Sequence, residues 1–358
     1  LVRAFRRMKV VLGIRSEKMK RKLVLVLAAG LLCACHNKPF DYKDFDYQTV
    51  CFPFQYPTRT LSLGNDVLDN SADRAHKFNI GVVLGGVYIH NDISRRVYYE
   101  VDESLVPDNL YNQNNEQLRV LPSRYYSLST DGSVEIPKGQ LNGLITVQLT
   151  DEFFDDPDAL KGVYVIPMRI TDADRIDSIL SGRPAVAAPN LHEAGHWEIA
   201  PKNYTLFGVK YVNPYHGKWL RRGTLVVKNP AGEEIDRVVY RTNDLELNEV
   251  VSLTTTSMSD VVGGWQIGDE EFSLRLSVTD HDIEITSQPD AAIEAVGTGR
   301  YGEFEAEWGG TLEKPRKRDV LYLKYTYNRP DGNHCEVCDT LVFRDRAIVF
   351  EDNRPQIK

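Results

Sequence analysis

Phe272-Ser273-Leu274-Arg275-Leu276-Ser277-Val278-Thr279 is the stretch that decides the fold class. Apolar and polar side chains alternate along it, the period of a strand with one buried face. The same alternation runs through Leu144–Thr150, where Ile145, Val147 and Leu149 share one face and Thr146, Gln148 and Thr150 the other. Asp282–Thr286 and Leu321–Tyr327 repeat it. Helical periodicity is confined to two short stretches, Glu152–Leu160 and Ala173–Leu180. The pattern predicts an all-β chain of antiparallel sheets with small helical connections, a sandwich or a barrel.

Outward from these strands, the rhythm breaks at Gly182-Arg183-Pro184 and again at Ala200-Pro201-Lys202. Proline removes ladder donors, so a boundary is expected between them. This divides the body into a first β-domain at 48–185, a linker at 186–202 and a second β-domain at 203–358.

The front of the chain is of another kind. Residues 1–34 hold nine Lys/Arg and one acid, which leaves 34 basic and 50 acidic residues beyond them, a charge of −16. So acidic a body argues against nucleic acid, whose binding rests on basic residues displacing counterions. Met19-Lys20-Arg21-Lys22 followed by the apolar run Leu23–Leu32 reads as a signal peptide, too short to span a bilayer. Residues 1–18 read as an over-extended start. Leu32-Cys33-Ala34-Cys35 resembles a bacterial lipobox, which implies cleavage before Cys35 and lipidation of its thiol. Residues 35–47 are then a polar tether. The expected location is the outer membrane, held there by a lipid anchor and open to the cell surface or the periplasm.

Cys51, Cys335 and Cys338 remain beyond the anchor. The Cys335-Glu336-Val337-Cys338 spacing suggests redox or zinc chemistry, but no second pair follows and the flanking residues read as a strand. A structural role is expected for this pair.

The first domain carries phrases that together resemble a known family: Phe52-Pro53-Phe54-Gln55-Tyr56-Pro57, Leu84-Gly85-Gly86-Val87-Tyr88, Tyr98-Tyr99-Glu100-Val101-Asp102, Leu121-Pro122-Ser123-Arg124-Tyr125-Tyr126 and Ile136-Pro137-Lys138-Gly139. They are similar to the uncharacterised immunoglobulin-like N-terminal domain of Bacteroidota lipoproteins from polysaccharide-utilisation loci. Some relatives join that domain to family 18 glycosidase barrels. The stretch from Tyr204 to Asn213 resembles instead the opening of a calycin-like C-terminal domain. The resemblance implies an immunoglobulin-like sandwich followed by a calycin-like barrel. Gly217-Lys218-Trp219 matches the G-x-W of lipocalin-type first strands, where glycine permits close approach and tryptophan plugs the closed end.

Three constellations bear on chemistry. His192-Glu193-Ala194-Gly195-His196 has the spacing of a zinc hydrolase helix, with two histidines on one face and a glutamate to activate water. It sits between Pro189 and Pro201 with no helical apolar face before it, so a linker reading is preferred and no metal or other cofactor is expected. Glu303, Glu305 and Glu307 alternate and would share a strand face. The acid cluster of family 18 enzymes and the helices of a β/α barrel are missing, so the chain is read as a non-enzyme. Sugar recognition remains, since pyranose faces stack on exposed aromatic rings. Trp265 and Trp308 stand beside Gly263-Gly264 and Gly309-Gly310, hence on expected loops, and are the candidate ligand-binding residues.

The sequence therefore predicts a non-catalytic envelope lipoprotein that binds an oligo- or polysaccharide, with a TonB-dependent transporter or a surface glycosidase as partner. Two other readings stay open: an adhesion or scaffolding protein that binds another protein, and a zinc hydrolase using His192, Glu193 and His196.

Overall fold

A computed structural model describes residues 45–358 apart from 89–90, 290 and 312. Residues 1–34, Cys35 and the tether as far as Asp44 lie outside the described residues. The described chain is all-β.

The first region packs two sheets face to face. One runs in the order β11 (Ser178–Ile179), β1 (Thr49–Cys51), β3 (Lys77–Gly85), β9 (Asn142–Leu149), β7 (Tyr126–Leu128). The other runs β24 (Glu351–Asp352), β2 (Pro57–Ser62), β14 (Tyr204–Val212), β10 (Tyr164–Asp174), β4 (Arg95–Val101), β8 (Ser133–Ile136), with β6 (Arg119–Val120) also paired to β10. The alternation read in the sequence fixes which side chains meet. Phe78, Ile80 and Val82 of β3 and Ile145, Val147 and Leu149 of β9 pack against Ile166 and Met168 of β10 and Val209 and Tyr211 of β14. A smaller cluster of Leu105, Leu110, Leu118, Val165, Tyr204 and Leu206 includes residues of the opposite face of that second sheet, and Leu191 of the linker packs on it. Two short pairs complete the strands: β12 (Arg183–Pro184) with β13 (Trp197–Ile199), and β5 (Leu110–Tyr111) with β25 (Gln356–Ile357).

The second region is a closed antiparallel barrel of eight strands. These are β15 (Gly217–Lys228), β17 (Glu249–Thr255), β18 (Asp260–Ile267), β19 (Glu270–Thr279), β20 (Asp282–Ser287), β21 (Ala295–Gly310), β22 (Pro315–Asn328) and β23 (His334–Asp345). Pairing of β15 with β23 closes the ring. Strand β15 divides its other edge, giving Gly217–Arg221 to β17 and Gly223–Lys228 to β16 (Glu234–Tyr240). Eight strands make an interior that side chains can fill. Leu274, Leu276, Ile283, Ile285, Leu321 and Leu323 are among those that do. At the start of β15, a Cβ on Gly217 would lie 2.4 Å from the Asp345 carbonyl oxygen, so only glycine allows this approach. Trp219 beside it is buried, donates from Nε1 to the Tyr215 carbonyl at 3.0 Å and meets Phe343 edge-on. The close approach at Gly217 and the buried ring of Trp219 thus stand at the two positions of the G-x-W.

Three readings of the sequence need correction. Strand β14, placed at the head of the second domain, pairs with β10 and β2 and completes the sandwich. The chain also returns to the sandwich at its end through β24 and β25. Alternation marks a strand but names no partner, so this could not be seen locally. Of the two helical stretches, Asp151–Asp155 and Pro157–Leu160 do form short helical turns. Ala173–Leu180 does not: Ala173 and Asp174 finish β10 opposite Val97 and Arg96, Arg175 turns at φ 60°, and Ser178–Ile179 pair with β1. Ladder pairing on both sides outweighs a weak local propensity.

Candidate functional site

The expected site residues separate sharply. Trp265 lies in mid-strand, 1% exposed, inside the barrel. Its ring occupies the space a Cβ on Gly263 would need, 2.6 Å from Cζ3. Gly263 therefore marks room for a core ring, not a loop, and Trp265 is closed to a ligand. Its Nε1 donates to Asp339 at 3.2 Å. Asp339 also accepts from Arg221 Nε at 3.0 Å, Tyr325 at 3.0 Å and Tyr240, a polar knot sealed in the barrel. Burial opposes the charge on Arg221, but Asp339, Tyr325, Tyr240 and Glu249 together hold its pKa above the usual value.

Trp308 is half-buried on the last residues of β21, where Gly309 and Gly310 take φ 73° and 88° and the strand ends. The Arg318 guanidinium lies over its ring at 4.9 Å. The segment His192–His196 is no α-helix: Ala194–His196 make one 3-10 turn and Glu193 is extended. His192 Nε2 is 2.9 Å from the Leu105 carbonyl, whereas His196 Nδ1 accepts from the Asn190 N–H and its Nε2 is 3.1 Å from Glu193. The two histidines serve different local contacts, and no cluster of three metal-binding side chains occurs among the described residues. Cys335 is buried and Cys338 exposed along β23; both are free, and burial raises the Cys335 pKa. The Glu303–Glu307 alternation is broken by a register shift after Gly302, with Phe304 at φ 55°. Glu305 there pairs with Arg300 at 2.6 Å.

That irregularity builds the site the sequence reading missed. Phe304 stands 47% exposed in the wall of a cleft of about 360 Å³, where the loop after β2 meets the barrel. The loop supplies Asn65 and Asp66; β22 supplies Arg316, Lys317, Arg318 and Asp319. Phe304 also walls an adjoining hollow of about 240 Å³ lined by Asp69, Asn70 and Arg74. Buried Asp319 fixes the geometry: it accepts from Tyr301 at 2.7 Å, the Phe304 N–H at 3.1 Å and Asn65 Nδ2 at 3.3 Å. A left-handed backbone at an aromatic residue costs about 1–2 kcal/mol, and the bond from Phe304 to Asp319 holds it there. Strain held by surrounding structure gathers at functional sites.

Two buried arginines line or back the cleft. Arg318, 6% exposed, donates Nε to the Trp308 carbonyl at 3.1 Å and Nη1 to the Arg344 carbonyl at 3.0 Å. Arg346 donates to the carbonyls of Asn65, Pro214 and His216 and lies 4.1 Å over the Phe343 ring. Among the described residues neither forms an ion pair. Burial lowers both pKa values, that of Arg346 to about 10. Burial and then the Arg346 charge push His216 down to about 4. Pro315-Arg316-Lys317-Arg318, a basic run in an acidic body, was the signal available in the sequence. A larger cavity of about 500 Å³ opens on the sandwich among Phe52, Phe54, Phe207, Val349 and Phe350. Arg59 at its rim is already paired with Asp73 at 2.5 Å.

The fold and site define a two-domain all-β protein: a sandwich, then a closed barrel, with a cleft where they meet. Residues 45–177 match a family of N-terminal domains, and residues 214–347 match a domain of unknown function, DUF5627. A crystal structure of a Bacteroides ovatus protein of unknown function is similar to this chain at 36% identity, with TM-score 0.76 over 88% of this chain and 100% of that one. The chain belongs to the same family as that protein, in keeping with a Bacteroidota protein of unknown function. A multidomain Bacteroides ovatus protein including DUF1735 aligns at 11% identity and TM-score 0.39, over 87% of this chain and 100% of that one. No curated protein matches.

Proposed function

We propose that this chain is a non-catalytic glycan-binding protein of the cell envelope, anchored through Cys35, and that the cleft around Phe304 takes the sugar. The observation that carries the reading is the presentation of Phe304. Its ring is held outward on left-handed backbone, between polar groups from two regions of the chain. An exposed aromatic face with hydroxyl-binding side chains around it is what a pyranose ring requires. Trp308, behind Arg318, supports that wall. Trp265 takes no part. The bound glycan would be handed to a transporter or a surface glycosidase.

A glycan array followed by calorimetry on the best hit tests this. Base stacking on aromatics, ~1–3 kcal/mol per ring, sets an upper scale. Phe304→Ala should therefore weaken binding severalfold to about tenfold. Affinity untouched by Phe304→Ala would place the glycan elsewhere. The anchor is tested separately: Cys35→Ala should release the chain from the membrane fraction, since acyl chains supply ~0.8 kcal/mol per buried CH₂.

A further inference from the structure

We propose that the glycan of this cleft is anionic, carrying a carboxylate or a sulfate that Arg318 receives; this rests on the glycan-binding reading above. Arg318 is nearly buried, and its two hydrogen bonds end on neutral carbonyls, those of Trp308 and Arg344. The Trp308 ring under the guanidinium and these two bonds fix its plane. Nη2 is left over, with no partner among the described residues. A guanidinium held in place with one donor free is preorganised for an oxyanion.

The surrounding charges point the same way. Arg316 and Lys317 line the cleft beside Arg318 and form no ion pair among the described residues. The carboxylates that act on Arg318 are Asp66, Asp345 and Asp319, and Asp345 is taken up by Arg344 at 3.5 Å and the Ala347 N–H. Both oxygens of Asp319 already accept from Tyr301, Phe304 and Asn65, and Asp66 Oδ1 takes the Val67 N–H at 2.6 Å. The cleft thus keeps an excess of positive charge in a chain whose net charge is −8. Burial of an arginine without a counter-ion is unfavourable, and an arriving anion relieves it. A neutral sugar would gain only an ordinary hydrogen bond from that arrangement, without relief of the charge.

Calorimetry on the folded chain decides, with trigalacturonate and a sulfated carrageenan tetrasaccharide as probes, each beside its neutral counterpart (the methyl ester and the desulfated sugar). At least one anionic probe should bind about tenfold more tightly than its neutral partner at low salt, and the preference should shrink as salt rises. Which pair shows it distinguishes carboxylate from sulfate. Arg318→Met should erase the preference for the anionic probe over its neutral partner. If that variant does not fold, Arg316→Gln with Lys317→Gln and the salt series on the unaltered chain give the same decision. Equal affinity for charged and neutral partners overturns the anionic assignment and leaves the glycan reading standing. Binding of no probe also overturns it, and the glycan reading is then judged on the array alone.

Discussion

The barrel interior and the cleft hold nearly the same chemistry in opposite states. Inside the barrel, Arg221 meets Asp339 at 3.0 Å, and two tyrosines and Trp265 spend their donors on the same carboxylate. In the cleft, Asp319 is likewise saturated by a tyrosine, an asparagine and a backbone N–H. The nearby arginines, however, bond only to carbonyls. A buried ion pair specifies packing, and the one donor it leaves over, Arg221 Nη2, is sealed away from solvent. An arginine with a free nitrogen in an open cleft has capacity left for a ligand. The same residue types therefore do not announce function; an unspent donor that a ligand can reach does.

The largest expected effect breaks the comparison at its centre. Asp339→Asn removes the buried partner of Arg221 and leaves it only the more exposed Glu249 at 2.9 Å, and urea unfolding should show a loss of about 3–5 kcal/mol. Arg318→Met removes a cation that has no ionic partner, and gives up two bonds to carbonyls and the Trp308 stack, so it should cost less, about 1–2 kcal/mol. Equal losses in the two variants would mean that the cleft arginine is also structural. The two tryptophans repeat the contrast. Trp265→Ala should cost about 3–5 kcal/mol, as should Trp219→Ala. Trp308→Ala should cost about 1 kcal/mol, chiefly its stack with Arg318.

A smaller effect concerns the positive charge behind the cleft. His216 Nδ1 accepts the Thr255 N–H at 3.2 Å, so protonation there would break that bond. With a folded pKa of about 4 against 6.5, the unfolded chain binds the extra proton in that window. Stability should therefore fall as pH drops from 6.5 towards 4, by about 2–3 kcal/mol from this group. In His216→Asn, where an amide oxygen replaces Nδ1, the slope should be shallower; an unchanged slope would assign the acid loss to other groups. The smallest effect sharpens the site itself. Phe304→Asn keeps a residue tolerant of left-handed backbone, so stability should shift by less than about 1 kcal/mol. Glycan affinity should nonetheless fall as in Phe304→Ala.

Local sequence determined the strands. The alternation in Phe272–Thr279, Leu144–Thr150 and Leu321–Tyr327 names a buried face whatever the partner, because successive side chains point to opposite sides. The resemblance of Gly217-Lys218-Trp219 to the lipocalin-type G-x-W likewise implied a core role for Trp219. Partners were decided only in three dimensions. Strand β14 joined the sandwich because its edges found β10 and β2, and Ala173–Leu180 became strand and turn for the same reason. The Gly-Gly pairs read alike in sequence. Yet Gly263 makes room for a ring inside the barrel, while Gly309–Gly310 end a strand. The cleft was beyond local reading. Asn65 and Asp319 stand 254 residues apart in sequence and meet through a hydrogen bond. Arg221 and Arg318 both leave Nη2 without a partner among the described residues, and whether a ligand can reach it depends on neighbours that only the folded chain supplies.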